Sequence, residues 1–243
     1  MFVVIFEVQP RPDLTDEYLK LAQHLKPMLD EIDGFLDVER FASRRTESRL
    51  LSLSTWLDEK ALVRWRTHAE HHRVQAKGRT QVFEDYRLRV GEVTADTRPP
   101  EGISVAQTRL DETQIGAAKA MTITEMMLDP KSFASPDAPS SRLEPAPGAD
   151  GLVEAEMFAS IYTPGKVVLL ASWRDAAAAQ SWKPAASGDR LRHRTIRIIR
   201  DYGMFERREA PQYYPARARA GVALPPLQGR AAPRAARSGW GHL

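Results

Sequence analysis

The chain has 243 residues, of which 42% are hydrophobic and 28% charged, as in a globular protein that can bury the core of one or two domains. It contains no cysteine, which excludes disulfides, thiolate metal sites and thiol nucleophiles and fits a reducing, cytoplasmic location. The net charge of +3 comes from residues 210–243, which hold five arginines and no acidic residue, so no nucleic-acid surface is predicted on the folded part.

Residues 1–34 contain the first predicted strand and the clearest predicted helix. The run over residues 2–8 is apolar apart from Glu7 and lacks a basic start, which indicates a buried strand and not a signal peptide. No apolar run reaches the roughly 20 residues of a membrane helix, so no membrane span is predicted. The helix ends at Gly34 and has one apolar face, because large residues recur at spacings of three and four. These residues are Leu14, Tyr18, Leu21, Leu25, Met28 and Ile32.

A hairpin, a second helix and a last strand follow. The hairpin strands lie over residues 35–43 and 49–56, on either side of a polar turn. The helix runs from Asp58 to Gly78, and a strand over residues 82–90 ends the unit. The apolar stripe of this helix consists of Leu62, Trp65, Ala69, His72 and Ala76. The order βαββαβ is that of the ferredoxin-like α+β fold.

The same unit recurs later in the chain. Residues 34–56 align without a gap with residues 151–173, and 8 of the 23 positions are identical. A match of this length and order predicts a tandem duplication. The pairs matched outside this segment are Glu7 with Glu125, Trp65 with Trp182, and Asp85-Tyr86 with Asp201-Tyr202.

The duplication divides the chain into four parts. Prolines over residues 131–150 exclude a regular first helix in the second copy, and Pro184 shortens its second helix. The second copy is therefore expected to be degenerate. The parts are a well-preserved module over 1–96, a linker over 97–119 with ISVAQTRL as a candidate strand, the degenerate module over 120–209, and a basic tail over 210–243 that is predicted to be disordered.

The first module resembles the antibiotic biosynthesis monooxygenase superfamily. The residues that carry the resemblance are Trp56 at a strand end, the helical Trp65 followed by histidines, Gly78-Arg79, and Asp85-Tyr86 at the start of the last strand. The resemblance covers residues 1–92 well and about 120–207 weakly. It implies two ferredoxin-like modules that pair as a dimeric α+β barrel, here within one chain, and it leaves open whether the fused pair forms a homodimer.

The resemblance also implies a monooxygenase that oxidises an aromatic phenolic or quinol molecule with dioxygen and uses no metal or organic cofactor. A haem-binding or haem-degrading oxygenase is the first alternative. Against it, Gln75 stands where that branch has its iron-ligating histidine, and Glu7 stands at or near the position where it has asparagine. The second alternative is a non-enzymatic small-molecule-binding or structural barrel, because one fold serves many functions.

The candidate site residues lie mainly on the predicted second helix. Their spacings of three and four place them on one stripe, facing a cavity between the helices and the sheet. A histidine with an ordinary pKa is suited to abstract a phenolic proton at neutral pH, so His72 or His68 is the expected base. Trp65 is expected to stack on the substrate, and Arg79 and Tyr86 to stabilise the developing oxyanion. The stripe consists of Trp65, His68, His72, Gln75 and Arg79.

Each candidate also has a purely structural interpretation. Trp65 is equally typical of a core position, and His68, His71 and His72 are typical of a solvent-exposed helix face. His68 and His72 have the spacing of a metal pair, but the sequence offers no third ligand, so no metal site is predicted. The three histidines have no histidine counterparts in the second copy. Any site is therefore expected once, in residues 1–96, with the second module as its packing partner.

Overall fold

The computed structural model describes residues 1–128, 143–185 and 191–214, which form two four-stranded antiparallel sheets joined into one closed barrel. The elements of the first module are β1 (Phe2–Pro10), α1 (Thr15–Asp30), β2 (Phe35–Ser43), β3 (Leu50–Trp56), α2 (Glu59–Thr67), α3 (Ala69–Lys77), a π-helical turn (Gly78–Val82) and β4 (Phe83–Asp96). The elements of the second module are β5 (Ala120–Met127), β6 (Leu152–Ser160), β7 (Lys166–Trp173), α4 (Ala176–Ser181) and β8 (Leu191–Gly203).

The two modules have the same strand order and pair through both edges of their sheets. The order around the barrel is β1-β3-β2-β6-β7-β5-β8-β4, so the modules meet where β2 pairs with β6 and where β4 pairs with β8. Closing the sheets on one another leaves no free strand edge in the barrel. The predicted α+β fold, with two ferredoxin-like modules paired within one chain, is confirmed.

The register of the last strands corrects one detail of the predicted repeat. Glu7 lies opposite Arg87 in the first module, and Glu125 lies opposite Arg192 in the second. Arg87 therefore corresponds to Arg192, and the predicted match of Asp85-Tyr86 with Asp201-Tyr202 is wrong. The two Asp-Tyr pairs lie at opposite ends of their strands.

The barrel interior is apolar in its middle, where one face of every strand contributes. These residues are Val3, Ile5, Phe41, Leu51, Leu53, Val93, Met121, Ile123, Phe158, Val168, Leu170, Ile196 and Ile198. They alternate along each strand with residues that face outward, as a half-buried sheet requires. The outer face of the first module packs against α1 and α2.

Ionic clusters lie at both ends of the apolar interior and join the modules. At one end Glu7 pairs with Arg49 and with Arg89, whose Nη1 lies 3.0 Å away, and Arg49 also reaches Glu156 of the second module at 3.2 Å. The other end repeats this arrangement with the modules exchanged: its members are Glu125, Lys166 and Arg194 of the second module and Glu39 of the first. Because buried charges are costly without a partner, these contacts favour one register of the two modules.

The predicted second helix is broken at His68. This residue is extended, with φ −63° and ψ 128°, between α2 and α3. In a continuous helix the Trp65 carbonyl would accept a hydrogen bond from the amide four residues later. Here it accepts instead from the His68 amide at 3.1 Å and from His71 Nδ1 at 3.0 Å. The break changes the direction of α3, so the predicted single stripe does not form. As a result His72 is exposed, and Val74 is the buried residue of α3.

Three further expectations concern the connections. Residues 97–119 are all described and contain no strand, so the candidate strand ISVAQTRL is not formed. The expected loop over 131–150 lies partly outside the described residues, and its described part, 143–150, holds no helical segment of regular length. Of the predicted tail, residues 210–214 are described and pack near the first module, whereas 215–243 lie outside the described residues. No helix in the described part of the chain is long and apolar enough to cross a membrane.

Gly34 and Gly151 occupy the same corner in the two modules. Both have a positive φ, +85° and +72°, which L-residues with a side chain rarely adopt. A Cβ on Gly34 would lie 2.8 Å from the Cβ of Ala61, and one on Gly151 would lie 2.4 Å from the Cβ of Ala178. The glycine therefore allows the start of α2 to approach the backbone just before β2, and its repeat allows the start of α4 to approach the backbone just before β6.

Replacing Gly151 by alanine should cost more stability than replacing Gly148. Both have positive φ, so each substitution loses roughly 1–2 kcal/mol from the backbone alone. Only Gly151→Ala adds an overpacking cost of about 1–3 kcal/mol, because no atom lies within 4 Å of a Cβ on Gly148. Urea unfolding of both variants measures the difference, and equal losses would contradict the close approach to Ala178.

Candidate functional site

A cavity of about 210 Å³ lies between the helices of the first module and the outer face of its sheet. Its floor consists of two adjacent rows of side chains that cross five strands, from β2 through β3, β1 and β4 to β8. The first row is Arg40, Ser52, Phe6, Leu88 and Tyr202, and the second is Val38, Ser54, Val4, Val90 and Arg200. The fifth strand belongs to the second module, whose β8 pairs with β4 from Arg87 to Asp96.

The helices of the first module form the roof of the cavity. The lining residues are Tyr18, Leu21, Ala22, Leu25 and Leu29 from α1, Glu59, Leu62, Val63, Trp65 and Arg66 from α2, and His71, Val74 and Gln75 from α3. The α1 side is mainly apolar, and polar groups lie at both ends of the floor, on β2 and β3 and on β8. An apolar space with a few converging polar groups is typical of a small-molecule site.

The chain that follows β8 closes one side of the cavity. Arg79 is 3% exposed and donates from Nη1 to the Met204 carbonyl at 2.8 Å. The guanidinium carbon of Arg207 lies 5.4 Å from the ring centre of Tyr202 and 5.2 Å from that of Tyr214. Arg79 of the first module makes a further cation–π contact, with its guanidinium carbon 5.4 Å from the ring centre of Tyr214. This contact and the hydrogen bond to Met204 hold the segment after β8 against the first module. The site is therefore built from both modules, although its roof belongs to the first alone.

Tyr86 carries the most strongly polarised hydroxyl group of the cavity wall. Its oxygen accepts from Nη1 of Arg79 at 3.1 Å and from Nη1 of Arg207 at 2.8 Å. Because both contacts use the oxygen as acceptor, the Tyr86 proton remains available to donate. A donor beside two guanidinium groups is suited to stabilise negative charge on a bound molecule.

His71 is the histidine that lines the cavity, and its position follows from the helix break. Its ring stacks on Trp65 with 4.3 Å between centroids and an interplanar angle of 18°. Burial lowers the pKa of His71 to about 4, so the imidazole is neutral at pH 7. A carbonyl can only accept a hydrogen bond, so the contact of Nδ1 with the Trp65 carbonyl places the proton on Nδ1. Nε2 therefore carries a lone pair.

The structure brings together four of the six residues predicted for the site: Trp65, Gln75, Arg79 and Tyr86. Gln75 accepts from Nε2 of Gln212 at 3.2 Å. The two expected bases do not line the cavity, because the predicted stripe is interrupted. The His68 ring lies beside Trp65, with 5.7 Å between centroids, and exposed His72 stacks on Tyr214 at 5.9 Å. The expectation that His68 and His72 face the cavity is thus corrected, and a catalytic role for either stays a prediction.

Sequence analysis missed several lining residues. His71 was outside the stripe that a continuous helix would form, and no glycine or proline marks the break that turns it inward. Six others come from the second module and the segment after it, which the pairing of β4 with β8 brings to the cavity. They are Arg200, Tyr202, Arg207, Pro211, Gln212 and Tyr214. The second module is therefore more than the packing partner that was expected.

The corresponding face of the second module is filled by its own side chains. Trp182 lies against Trp173, with 5.6 Å between ring centroids, and against His193 at 5.5 Å. Fully buried Leu143 packs in the same region. Three polar floor positions of the first module are apolar and buried here: Arg40, Ser52 and Ser54 correspond to Met157, Leu169 and Ala171. The fold thus does not require polar residues at these positions.

The positions compared above with metal- and haem-binding proteins do not come together in the described part of the chain. Within residues 1–128, 143–185 and 191–214, no three histidine, aspartate or glutamate side chains are grouped as metal ligands. Glu7 belongs to the ionic cluster inside the barrel, whereas Gln75 lines the cavity outside it. Glu7 and Gln75, the two positions at which the chain differs from the haem-degrading branch, therefore lie on opposite sides of the sheet.

Comparisons with known proteins identify a matching family and relatives of similar sequence. A family model described as antibiotic biosynthesis monooxygenase matches residues 1–77. The jasmonate monooxygenase ABM of Pyricularia oryzae is 43% identical over 220 residues, which are 88% of this chain and 99% of that protein. The uncharacterized protein YqjZ of Bacillus subtilis is 33% identical over 76 residues, which are 31% of this chain and 65% of that protein.

Solved structures of monooxygenase-like proteins resemble the chain at low identity. A putative monooxygenase from Fusobacterium nucleatum is 10% identical, with a TM-score of 0.35, and the match covers 82% of this chain and 93% of that one. A putative monooxygenase from Lactobacillus acidophilus is 8% identical, with a TM-score of 0.36, over 82% of this chain and 94% of that one.

The pKa of His71 predicts how stability changes with pH. The pKa is about 4 in the folded chain and about 6.5 when unfolded, so the unfolded chain binds the proton first as pH falls. The contribution of His71 to the free energy of unfolding is therefore fully present above pH 6.5. It is lost as the pH falls from 6.5 to 4, and the loss is at most ~3 kcal/mol. In His71→Asn, which retains an N–H donor for the Trp65 carbonyl, urea unfolding should show a smaller decrease over this window. The exposed-site variant His72→Asn should behave as the parent chain, and an identical decrease in His71→Asn would contradict the prediction.

Proposed function

The chain belongs to the antibiotic biosynthesis monooxygenase family, and from this premise we propose that the cavity of the first module is its active site. In this site dioxygen oxidises a small, largely apolar molecule with an aromatic phenolic or quinol ring. The proposal includes no metal or organic cofactor. The observation that carries it is a neutral histidine, His71, in the wall of an apolar cavity of suitable size.

The shape and lining of the cavity support a planar ring substrate. Leucines of α1 and the apolar floor residues would hold the ring, and Trp65 lines the cavity beside His71. Aromatic rings supply much of the remaining wall, and they are Phe6, Phe83, Tyr86, Tyr202 and Tyr214.

His71 and Tyr86 are the proposed acid–base groups. Nε2 of His71 would accept the proton of a substrate hydroxyl, while the Tyr86 hydroxyl would donate to the oxygen on which charge develops. Arg79 and Arg207 hold the Tyr86 oxygen and add positive potential. The low pKa of His71 makes it a weak base in the empty cavity, so the proton transfer depends on this stabilisation of the anion.

A substrate with an activated methylene group satisfies the balance of atoms and electrons without an outside reductant. One oxygen atom of dioxygen replaces two hydrogens and becomes a carbonyl oxygen, and the other leaves as water. The methylene carbon supplies all four electrons that dioxygen takes up. The relative from Pyricularia oryzae is named for jasmonate, so jasmonate is a second substrate to test. A simple hydroxylation would need two further electrons, which an added reductant must provide.

Oxygen uptake by the purified chain tests the proposal. We expect uptake with an anthrone or a dihydroquinone in the absence of NADPH, and each anthrone oxidised should consume one dioxygen. Jasmonate is assayed with and without NADPH. In His71→Asn, kcat should fall by about 10²-fold or more, because the proton acceptor is lost, while KM stays within about threefold.

Other histidine variants provide the controls. His24→Asn changes a half-exposed side chain that pairs with Glu70 outside the cavity, and it should leave kcat unchanged. His68→Ala and His72→Ala test the bases expected from sequence. Loss of activity in one of these, with full activity in His71→Asn, would overturn the assignment of His71. No oxygen uptake with any of the substrates would overturn the proposed activity.

A further inference from the structure

The charges that line the cavity are strongly unbalanced. Of its 31 lining residues five are arginines, and Glu59 is the single carboxylate. Glu59 is already paired with Arg109, whose Nη1 lies 2.5 Å from it. The cavity is therefore largely apolar and has an excess of positive charge in its lining. Such an excess favours a bound anion, since buried charges need a partner.

Two of these arginines have unused donor groups. Among the described residues, the side chains of Arg66 and Arg200 form no hydrogen bond with another side chain or carbonyl and have no carboxylate within 4.0 Å. Arg66 lies on α2 of the first module, and Arg200 lies on β8 of the second. Arg207 differs from them, because it is held by Tyr86 and by the Gln212 carbonyl at 3.0 Å.

The hydroxyl of Tyr202 lies within electrostatic range of these cations. The positive charges of Arg207, Arg66 and Arg200 all act to lower its pKa, yet burial outweighs them and raises the pKa to about 12. Tyr202 therefore keeps its proton at neutral pH and remains a hydrogen-bond donor. Two guanidinium groups without a hydrogen-bond partner and one phenolic O–H thus lie near one another at the β8 end of the floor, and the charge of Asp111 also acts on Arg200.

We infer that the substrate of the proposed monooxygenase is an organic acid whose carboxylate binds to Arg66 and Arg200 beside Tyr202, while its apolar body extends across the floor toward Phe6 and Val4. The inference rests on the proposed function. A planar carboxylate matches guanidinium donors, and the groups come from both modules. The tail over 210–243 has no acidic side chain that could neutralise the cluster in its place. The second module therefore sets substrate specificity for a site whose proposed base lies in the first.

A matched pair of small probes tests the inference without turnover. Calorimetric titration compares 4-phenylbutanoate with 4-phenylbutanamide, which have the same apolar body and differ in the charge of the head group. We expect the acid to bind at least about tenfold more tightly, as is usual for hydrogen bonds to a charged group. In Arg66→Met and in Arg200→Met this preference should shrink to about threefold or less, with the affinity for the amide nearly unchanged.

Arg208→Met is the matched control, because Arg208 is 70% exposed, lies outside the cavity lining and pairs with Glu206. It should keep the full preference for the acid. Any of three results would overturn the inference. They are equal affinity for the two probes, no binding of the acid at millimolar concentration, and a preference for the acid that persists in both Arg66→Met and Arg200→Met. The variants lie in different modules, so misfolding of one leaves the other as a test.

The two proposals can fail separately. Preferential binding of the acid in a chain that shows no oxygen uptake would retain the carboxylate site and remove the proposed reaction. Oxygen uptake with neutral substrates, together with equal binding of acid and amide, would retain the reaction and remove the carboxylate site.

Discussion

The pairing of buried charges across the two modules is the constraint on which the rest of the structure depends. Arg49 of the first module contacts Glu156 of the second at 3.2 Å, and Lys166 contacts Glu39 in the mirrored arrangement. A one-residue slip of either sheet would turn these side chains to the other face and leave charges unpaired in an apolar barrel. The register of the barrel, and with it the position of β8 beside β4, is therefore tightly specified.

That register explains why two modules with one architecture have different outer faces. The end of β8 lies along the start of β4, so Arg200 and Tyr202 extend the floor of the cavity beyond the first module. On the outer face of the second module, Trp182 and Leu143 occupy the space instead. The interior charges are present in both copies because the barrel needs them. The polar residues of the cavity floor have apolar counterparts in the second copy, so the barrel itself does not depend on them.

Much of the fold could be predicted from the sequence, because apolar periodicity and an ungapped repeat are local signals. Gly34 with Gly151 and Trp56 with Trp173 marked the same corners in both modules. The break at His68 could not be predicted, since it depends on a carbonyl at Trp65 that is satisfied by a histidine side chain. Four of the residues predicted for the site line the cavity, and their roles stay predictions. The contribution of β8 depends on long-range pairing, which no local pattern encodes.

Fusing the two modules in one chain has a genetic consequence. When two identical subunits form such a barrel, each codon specifies a residue twice, and both outer faces change together. Here Met157 and Arg40 stand at equivalent positions but are encoded separately. One face can lose its cavity while the other acquires charged groups from the neighbouring half. A chain of this kind can alter the wall supplied by its second half without disturbing the histidine supplied by its first.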